Sequence, residues 1–192
     1  MTVARFFTAI ALCTSLAPGI SSAATLDGQT FEDSLRLGSD DLKLNGLGIR
    51  AVLFFKGYVA GLYLKDKATT MQQVVATAGA KRLQMRMLLN AGPSDFNEAL
   101  VAGIRVNATP AELAQLKSRI TQLEQTISEI GRTVVGDVIN IDYLPGRGTS
   151  LTVNGTPKGS PIEGADFYHA LLGIFVGNHP VDPRLKQGLL GQ

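Results

Sequence analysis

The feature that most constrains the fold is one long amphipathic helix in a chain otherwise rich in strand-like segments. Thr109 and Glu112 have the spacing of a capping box, and Pro110 stands at the first helical position, where proline is favoured. From Leu113 to Ile130 the apolar residues recur at alternating spacings of three and four, and Gly131 follows the last of them. A single apolar stripe of this kind predicts a helix of about 21 residues that lies across a sheet. The alternative is the seam of a coiled-coil dimer, although the pattern stops after about three heptads.

The segments around this helix have the residue patterns of strands. Residues 49–64 are rich in Val, Phe, Tyr and Leu, and they predict one long curved strand, or two strands joined at a kink, with the bend near Gly57 or Gly61. Residues 81–88 alternate apolar and polar side chains, and residues 138–153 predict a hairpin. Strands first, helices in the middle, and a hairpin and a helix last predict an α+β domain with a mainly antiparallel sheet.

The N-terminal residues are typical of a cleavable export signal, with Arg5 near the start and an apolar run over residues 6–16. Ala23 and Ala24 are small residues, and cleavage is expected after one or the other. The run is shorter than the roughly 20 apolar residues that span a bilayer, so a permanent membrane anchor is not expected. We therefore predict a signal peptide over residues 1–24, one domain over residues 25–192, and a periplasmic location.

Cysteine content and charge exclude several classes of function. The only cysteine, Cys13, lies inside the predicted signal, so the exported domain must be stable without a disulfide. A formal net charge of +2 gives no general attraction to nucleic acid or to an anionic membrane. The sequence has two histidines, His169 and His179, and no zinc, nucleotide or serine-hydrolase motif. We expect no metal, no cofactor, no nucleic-acid partner and no stable membrane insertion, while the oligomeric state stays open.

Three stretches carry a resemblance that spans essentially the whole exported part. They are LNGLGIR (44–50) running into FKGYVAGLYL (55–64), DYLPG (142–146) through VNG (153–155), and GADFYHALLGIFVG (164–177) followed by PVD (180–182). Together they resemble the chalcone isomerase-like domain family, in its bacterial exported branch. A family position that often holds tryptophan is Phe175 here. The resemblance implies an open-faced β-sandwich, in which a large antiparallel sheet is backed by a helical layer and a ligand cleft lies between them.

The family includes true isomerases of plants, fatty-acid-binding members and members with no assigned activity. In the isomerases an arginine of a Gly-x-Arg motif holds the developing oxyanion of the substrate, and its match here is Arg50. The threonine, tyrosine and asparagine of the enzymes fall on Tyr58, Phe96 and Gly103, of which the last two lack the required donors. Fatty-acid-binding relatives resemble this chain more closely, because they keep an arginine and a tyrosine in the places of Arg50 and Tyr58. The resemblance therefore implies a non-catalytic protein that binds a small amphipathic or anionic ligand, a fatty acid or similar. The alternative is an intramolecular lyase or isomerase that uses Arg50 as electrophile.

The candidate ligand-binding residues are Arg50, Tyr58, Phe96, Tyr168 and His169. The guanidinium of Arg50 offers a rigid fork of donors to a phenolate or carboxylate, and the hydroxyl of Tyr58 is a second candidate donor. The alternatives are an ordinary solvated or ion-paired arginine and a tyrosine that only packs in a strand. Tyr168 and His169 lie near positions that line the cleft of the family. His169 is either a half-exposed helix histidine or a ligand contact, including the axial ligand of an iron porphyrin (haem). No residue is assigned a catalytic role, except Arg50 if the chain is an isomerase.

Overall fold

The computed structural model describes residues 23–52 and 54–192. Residues 1–22, which make up most of the predicted signal, lie outside the described residues, so the signal peptide stays a prediction. Ala23 and Ala24, after which cleavage is expected, begin the first strand. Among the described residues, no helix combines the length and apolar character needed to cross a membrane.

The described residues form strands and helices in the order that the sequence pattern predicts. The strands are β1 (Ala23–Leu26), β2 (Gln29–Glu32), β3 (Ser34–Leu37), β4 (Asp40–Val52), β5 (Phe55–Leu64), β6 (Lys81–Met87), β7 (Val138–Leu144), β8 (Gly148–Val153) and β9 (Thr156–Ile162). The helices are α1 (Met71–Ala76), α2 (Pro93–Asn107), α3 (Pro110–Ile130), α4 (Ala165–Val176) and α5 (Pro183–Leu189).

The main sheet contains seven strands, β3 to β9, and each strand pairs antiparallel with the next one along the chain. Strands β1 and β2 form a separate antiparallel hairpin. The prediction of an α+β fold with a mainly antiparallel sheet is therefore confirmed. Neighbouring strands are close in sequence except between β5 and β6, where α1 is inserted, and between β6 and β7, where α2 and α3 are inserted.

The two faces of the main sheet are covered by different elements. Helices cover one face, on which Leu83, Met85 and Met87 of β6 are buried. The β1–β2 hairpin covers part of the other face, where a Cβ at Gly61 would lie only 2.9 Å from the ring of Phe31. The absence of a side chain at Gly61 therefore allows the hairpin to pack directly against β5. As a result, β5 is buried on both of its faces over most of its length.

Residues 49–64 fold differently from the expectation. They do not form one curved strand, because the chain reverses between Val52 of β4 and Phe55 of β5, and these two strands pair antiparallel. One irregularity in the ladder leaves Asn45 of β4 without a partner, and the other leaves Gly57 of β5 without one, so the expected bulge is present at Gly57, whereas Gly61 pairs regularly with Leu47. The residues at this turn are apolar and include no glycine, proline or asparagine, so local propensity does not signal the reversal.

Helix α3 has the predicted bounds and the predicted cap. The Thr109 hydroxyl accepts from the Glu112 N–H at 3.3 Å, and the Glu112 carboxylate accepts from the Thr109 N–H at 2.7 Å. Leu116, Leu123 and Ile127 of the apolar stripe are buried, and the rest of the stripe packs against the same core. Because the stripe is covered within one chain, a coiled-coil partner is not required to bury it.

Candidate functional site

A small cavity of about 180 Å³ lies between the sheet and the helical layer. The polar residues of its wall are Arg50 of β4, Tyr58 of β5, Asn90 and Asp95, and most of the remaining wall is apolar. Most of the apolar side chains come from β6, α2 and α4, and they include Met85, Met87, Phe96, Leu100, Ile174 and Phe175. A few converging polar groups in an apolar chamber are typical of sites for small organic ligands.

Arg50 and Tyr58 come together through the pairing of two strands. They are direct partners in the antiparallel register of β4 and β5, so their side chains leave neighbouring strands side by side. The register then shifts between Arg50 and Ala51. Such a bulge changes the direction of the side chains next to it, and bulges are common beside binding sites.

The guanidinium of Arg50 has an unused donor. Its Nε is buried and has no hydrogen-bond partner among the described residues, and within them no carboxylate forms an ion pair with Arg50. Leaving a buried donor without an acceptor costs roughly 1–3 kcal/mol, and more when the group is charged. An acceptor that reached this Nε would remove the cost.

The hydroxyl of Tyr58 is the second polar group of the cavity. The side chain is only 7% exposed, and its hydroxyl makes no hydrogen bond to another described residue. Burial raises the pKa of Tyr58 well above its ordinary value and Asp182 raises it further, while the nearby charge of Arg50 lowers it in part. Tyr58 therefore keeps its proton at neutral pH, so it can donate a hydrogen bond to an anion but is a poor general base.

Asp182 holds the strand end that carries Arg50. Its carboxylate accepts from the Ala51 N–H at 3.2 Å and from the Arg184 N–H at 2.8 Å, and it thereby caps α5. Burial raises the pKa of Asp182, but these backbone hydrogen bonds bring it below its ordinary value, so the group stays ionised. Asp182 and the other described carboxylates form no ion pair with Arg50.

A wider groove of about 850 Å³ opens beside the cavity, between α2 and residues 178–181. The cavity and the groove share Arg50, Asp95, Ala99 and Val181 in their walls. Arg50 therefore stands at the junction between the apolar chamber and solvent. A ligand that enters through the groove would place its apolar end in the chamber and its charged end at Arg50.

Phe96, the third candidate residue, reaches the cavity from the first turns of α2. This helix begins at Pro93, where the Asp95 carboxylate accepts from the Gly92 N–H at 2.8 Å and so caps the start. The aromatic ring is half-buried and packs against the main core. Phe96 has no hydroxyl, so it contributes only apolar surface.

Gly103 marks the other position of α2 at which the resemblance places a donor in the isomerases. A Cβ at Gly103 would lie 2.7 Å from the side chain of Ile174 on α4. The close packing of these two helices therefore fills the space that an asparagine side chain would need. Of the donors that the resemblance associates with isomerisation, the arginine is present and a tyrosine hydroxyl replaces that of the threonine, whereas Phe96 and Gly103 supply none.

Tyr168 does not line the cavity, in contrast to the expectation. It is fully buried, its ring stacks on that of Tyr143 at a centroid distance of 5.2 Å, and its hydroxyl donates to the Ile141 carbonyl at 3.4 Å. Burial raises its pKa well above the ordinary value. Tyr168 lies on the same buried face of α4 as Phe175, but about two turns, or roughly 10 Å, earlier along the helix.

His169 lies in a separate open groove of about 720 Å³, whose wall also includes Thr70, Asn107 and Glu112. Burial lowers the pKa of His169, and the charge of Lys81 lowers it further, against the raising influence of Asp166. Most side chains along this groove are polar, whereas an iron porphyrin needs an apolar slot for its ring. The residues around His169 therefore do not fit a haem, and they lie apart from the Arg50 cavity.

The structure thus brings together three of the five candidate residues and adds several that the sequence did not single out. Leu100, Ile174 and Val181 line the cavity, but each has the appearance of an ordinary core position in its element. Only their packing around Arg50 distinguishes them. The alternating face of β6 was the one available signal, because it predicts that Met85 and Met87 lie on one side.

Comparison with known proteins agrees with this architecture. The model of the chalcone isomerase-like family matches residues 23–191. Among solved structures, the crystal structure of a fatty-acid binding protein from Arabidopsis thaliana is similar, with a TM-score of 0.65 and 13% sequence identity over 88% of this chain and 96% of that chain. At this identity the similarity establishes a common fold. No curated protein matches the sequence.

Proposed function

The chain belongs to the chalcone isomerase-like family, and on this basis we propose that it binds a small amphipathic anion without transforming it. The observation that carries the proposal is the buried, unpartnered Nε of Arg50 beside an apolar cavity. A carboxylate at this position would accept from the guanidinium and from the Tyr58 hydroxyl. Hydrogen bonds to charged partners contribute roughly 1.5–3 kcal/mol each, which is enough to orient a small ligand.

The volume of the cavity limits the apolar part of the ligand. An apolar cavity of about 150 Å³ is known to hold a benzene molecule, whereas pockets for drug-sized ligands measure roughly 300–1,000 Å³. The 180 Å³ cavity therefore suits one ring or about six carbon atoms. The name of the similar plant protein, a fatty-acid binding protein, supports a carboxylate with an apolar tail as the ligand class.

Isomerisation is the alternative function, and Arg50 is the only residue that supports it. Ring closure in the manner of the family's enzymes needs further donors, and Phe96 and Gly103 supply none. The raised pKa of Tyr58 keeps its proton in place, so this residue does not replace a general base. Binding requires only the groups that are present, and we therefore prefer it.

We also propose that binding takes place in the periplasm, as expected for the bacterial exported branch of the family. The support is the signal-like pattern of the first 24 residues. The family match begins at residue 23, at the end of that pattern.

Calorimetric titration with benzoate and hexanoate tests the proposed function. We expect both carboxylates to bind, and we expect Arg50→Ala to weaken binding at least about tenfold, because a charge-assisted hydrogen bond is lost. Arg36→Ala is the matched control, since Arg36 lies on the edge strand β3 with its side chain mostly exposed. Unchanged affinity in Arg50→Ala, or no binding by the wild-type protein, would contradict the proposal. Turnover of a chalcone by the wild-type protein would instead favour the isomerase.

A further inference from the structure

We propose that Phe96 limits the length of the apolar group that the cavity accepts, so that the protein selects compact carboxylates over long-chain fatty acids. This inference rests on the proposed function, because it concerns the ligand of the same cavity. The resemblance implies only that Phe96 lacks the tyrosine hydroxyl of the isomerases. The inference adds that the ring of Phe96 determines which ligands fit.

A second void lies deeper in the protein, beyond Phe96. Its volume is only about 10 Å³, and its wall is entirely apolar. It lies between the helical layer and the far strands of the sheet, where its walls are formed by Ile127 and Ile130 of α3, Ile139 and Ile141 of β7, and Leu151 of β8. An apolar void of this size stays dry, because it offers water no hydrogen-bond partner.

The cavity and the deeper void share three wall residues, Met85, Phe96 and Leu100. These three side chains therefore form the partition between the two spaces. If the ring of Phe96 were removed, the volume that it vacates would join the cavity to this void, and an apolar tail that starts at Arg50 would extend toward α3, β7 and β8. The side chains on that side are aliphatic, so they suit an alkyl chain.

Phe96 is the member of the partition that decides whether the path is open. Met85 and Leu100 are only 2% and 6% exposed, and they pack in the main core. The ring of Phe96 is half-buried, so it is the largest group in the partition whose removal would leave the surrounding core contacts in place. Methionine is flexible enough to adjust around a tail once the ring is absent.

The consequence is a sharp dependence of affinity on chain length. In the wild-type protein affinity should rise up to about six carbons and then stop rising, because the tail meets the Phe96 ring. In Phe96→Ala each further buried methylene should strengthen binding up to about fourfold. Decanoate should therefore gain at least tenfold over hexanoate in this variant, relative to the wild-type ratio.

Calorimetric titrations with butanoate, hexanoate, octanoate and decanoate measure this profile. Phe55→Ala is the matched control, because Phe55 is 66% exposed and does not line the cavity. Phe96→Leu provides a second, milder variant that should shift the profile part of the way, and it keeps the test valid if Phe96→Ala does not fold. Circular dichroism establishes that each variant is folded.

The outcomes distinguish failure of the proposed function from failure of the role proposed for Phe96. If the wild-type protein binds none of the carboxylates, the proposed function fails and this inference fails with it. If the wild-type protein binds hexanoate but already binds decanoate more tightly, Phe96 sets no limit and only the inference is overturned. The same holds if the folded Phe96 variants keep the wild-type length profile.

Discussion

Arg50 and Tyr58 show how the surroundings of a side chain decide what it can do. An arginine usually finds a carboxylate or water, but the Nε of Arg50 is buried without an acceptor among the described residues. Tyr58 keeps its proton because its site excludes water. Together they form a donor pair for an anion, and neither is suited to remove a proton from a substrate.

The tyrosine environments lead to a prediction at high pH. Burial raises the pKa of Tyr63 to about 12 and raises that of Tyr58 further still, whereas an unfolded tyrosine titrates near pH 10. The folded protein therefore retains protons that the unfolded chain releases, and stability is lost as pH rises above about 10. We expect the free energy of unfolding, from urea titrations, to fall between pH 10 and pH 12, and to fall less steeply in Tyr58→Phe. Equal slopes in the two proteins would show that Tyr58 ionises freely in the folded state.

At the scale of elements, the contact between α2 and α4 defines one wall of the cavity. Gly103 of α2 allows Ile174 of α4 to approach, and Ile174 then lines the cavity. One residue earlier on α4, Gly173 lies beside Asn107 with ordinary van der Waals room. The two glycines sit in the interiors of neighbouring helices, yet only one of them is required by packing.

Alanine substitutions should therefore have opposite effects at these two positions. Gly103→Ala brings a methyl group against Ile174, and overpacking of this kind costs roughly 1–3 kcal/mol. This cost equals or exceeds the gain in helix propensity, which is at most about 1 kcal/mol. Gly173→Ala keeps the propensity gain, because its Cβ would lie 3.5 Å from Asn107. Urea denaturation should show Gly103→Ala as the less stable variant. The idea of a tight α2–α4 contact would be wrong if Gly103→Ala were the more stable of the two.

At the scale of the whole molecule, the cavity exists only in the complete fold. Its walls come from residues between Arg50 and Val181, including strands from the sheet and two helices from the layer above it. The seven-stranded sheet and the β1–β2 hairpin hold these parts together without a disulfide, since Cys13 is the only cysteine of the chain. Binding at such a site couples the two layers, so a ligand is expected to stabilise the whole domain.

The proposed export leads to a prediction about the first strand. Cleavage after Ala23 or Ala24 would yield a mature protein that begins at Ala24 or Thr25, and either product keeps the pairing of Thr25 with Thr30 in the β1–β2 hairpin. We expect N-terminal sequencing of the periplasmic fraction to find one of these two residues. A full-length chain retained in the cytoplasm would be inconsistent with export.

Much of the fold was accessible from local patterns. The cap at Thr109 and the stripe up to Ile130 predicted α3 correctly, because a helix is specified by contacts between residues three and four apart. The alternation of β6 was predicted correctly for a similar reason. The reversal between Val52 and Phe55 was not predicted, because its residues have no turn preference. The pairing of β4 with β5 determines this reversal.

For the candidate site, too, some features were predictable from the sequence and others depended on tertiary packing. Sequence alone was sufficient for the α+β class, for the long helix and, through the resemblance, for the identity of Arg50 and Tyr58 as the polar pair. Phe96 lines the same cavity as this pair, as the resemblance implied, but the packing of distant segments decided that Tyr168 and His169 lie elsewhere and that the cavity has a volume of about 180 Å³. The physical reason is that periodicity determines which face of an element is buried, whereas the group that a buried residue meets depends on register and on helix packing across the whole chain.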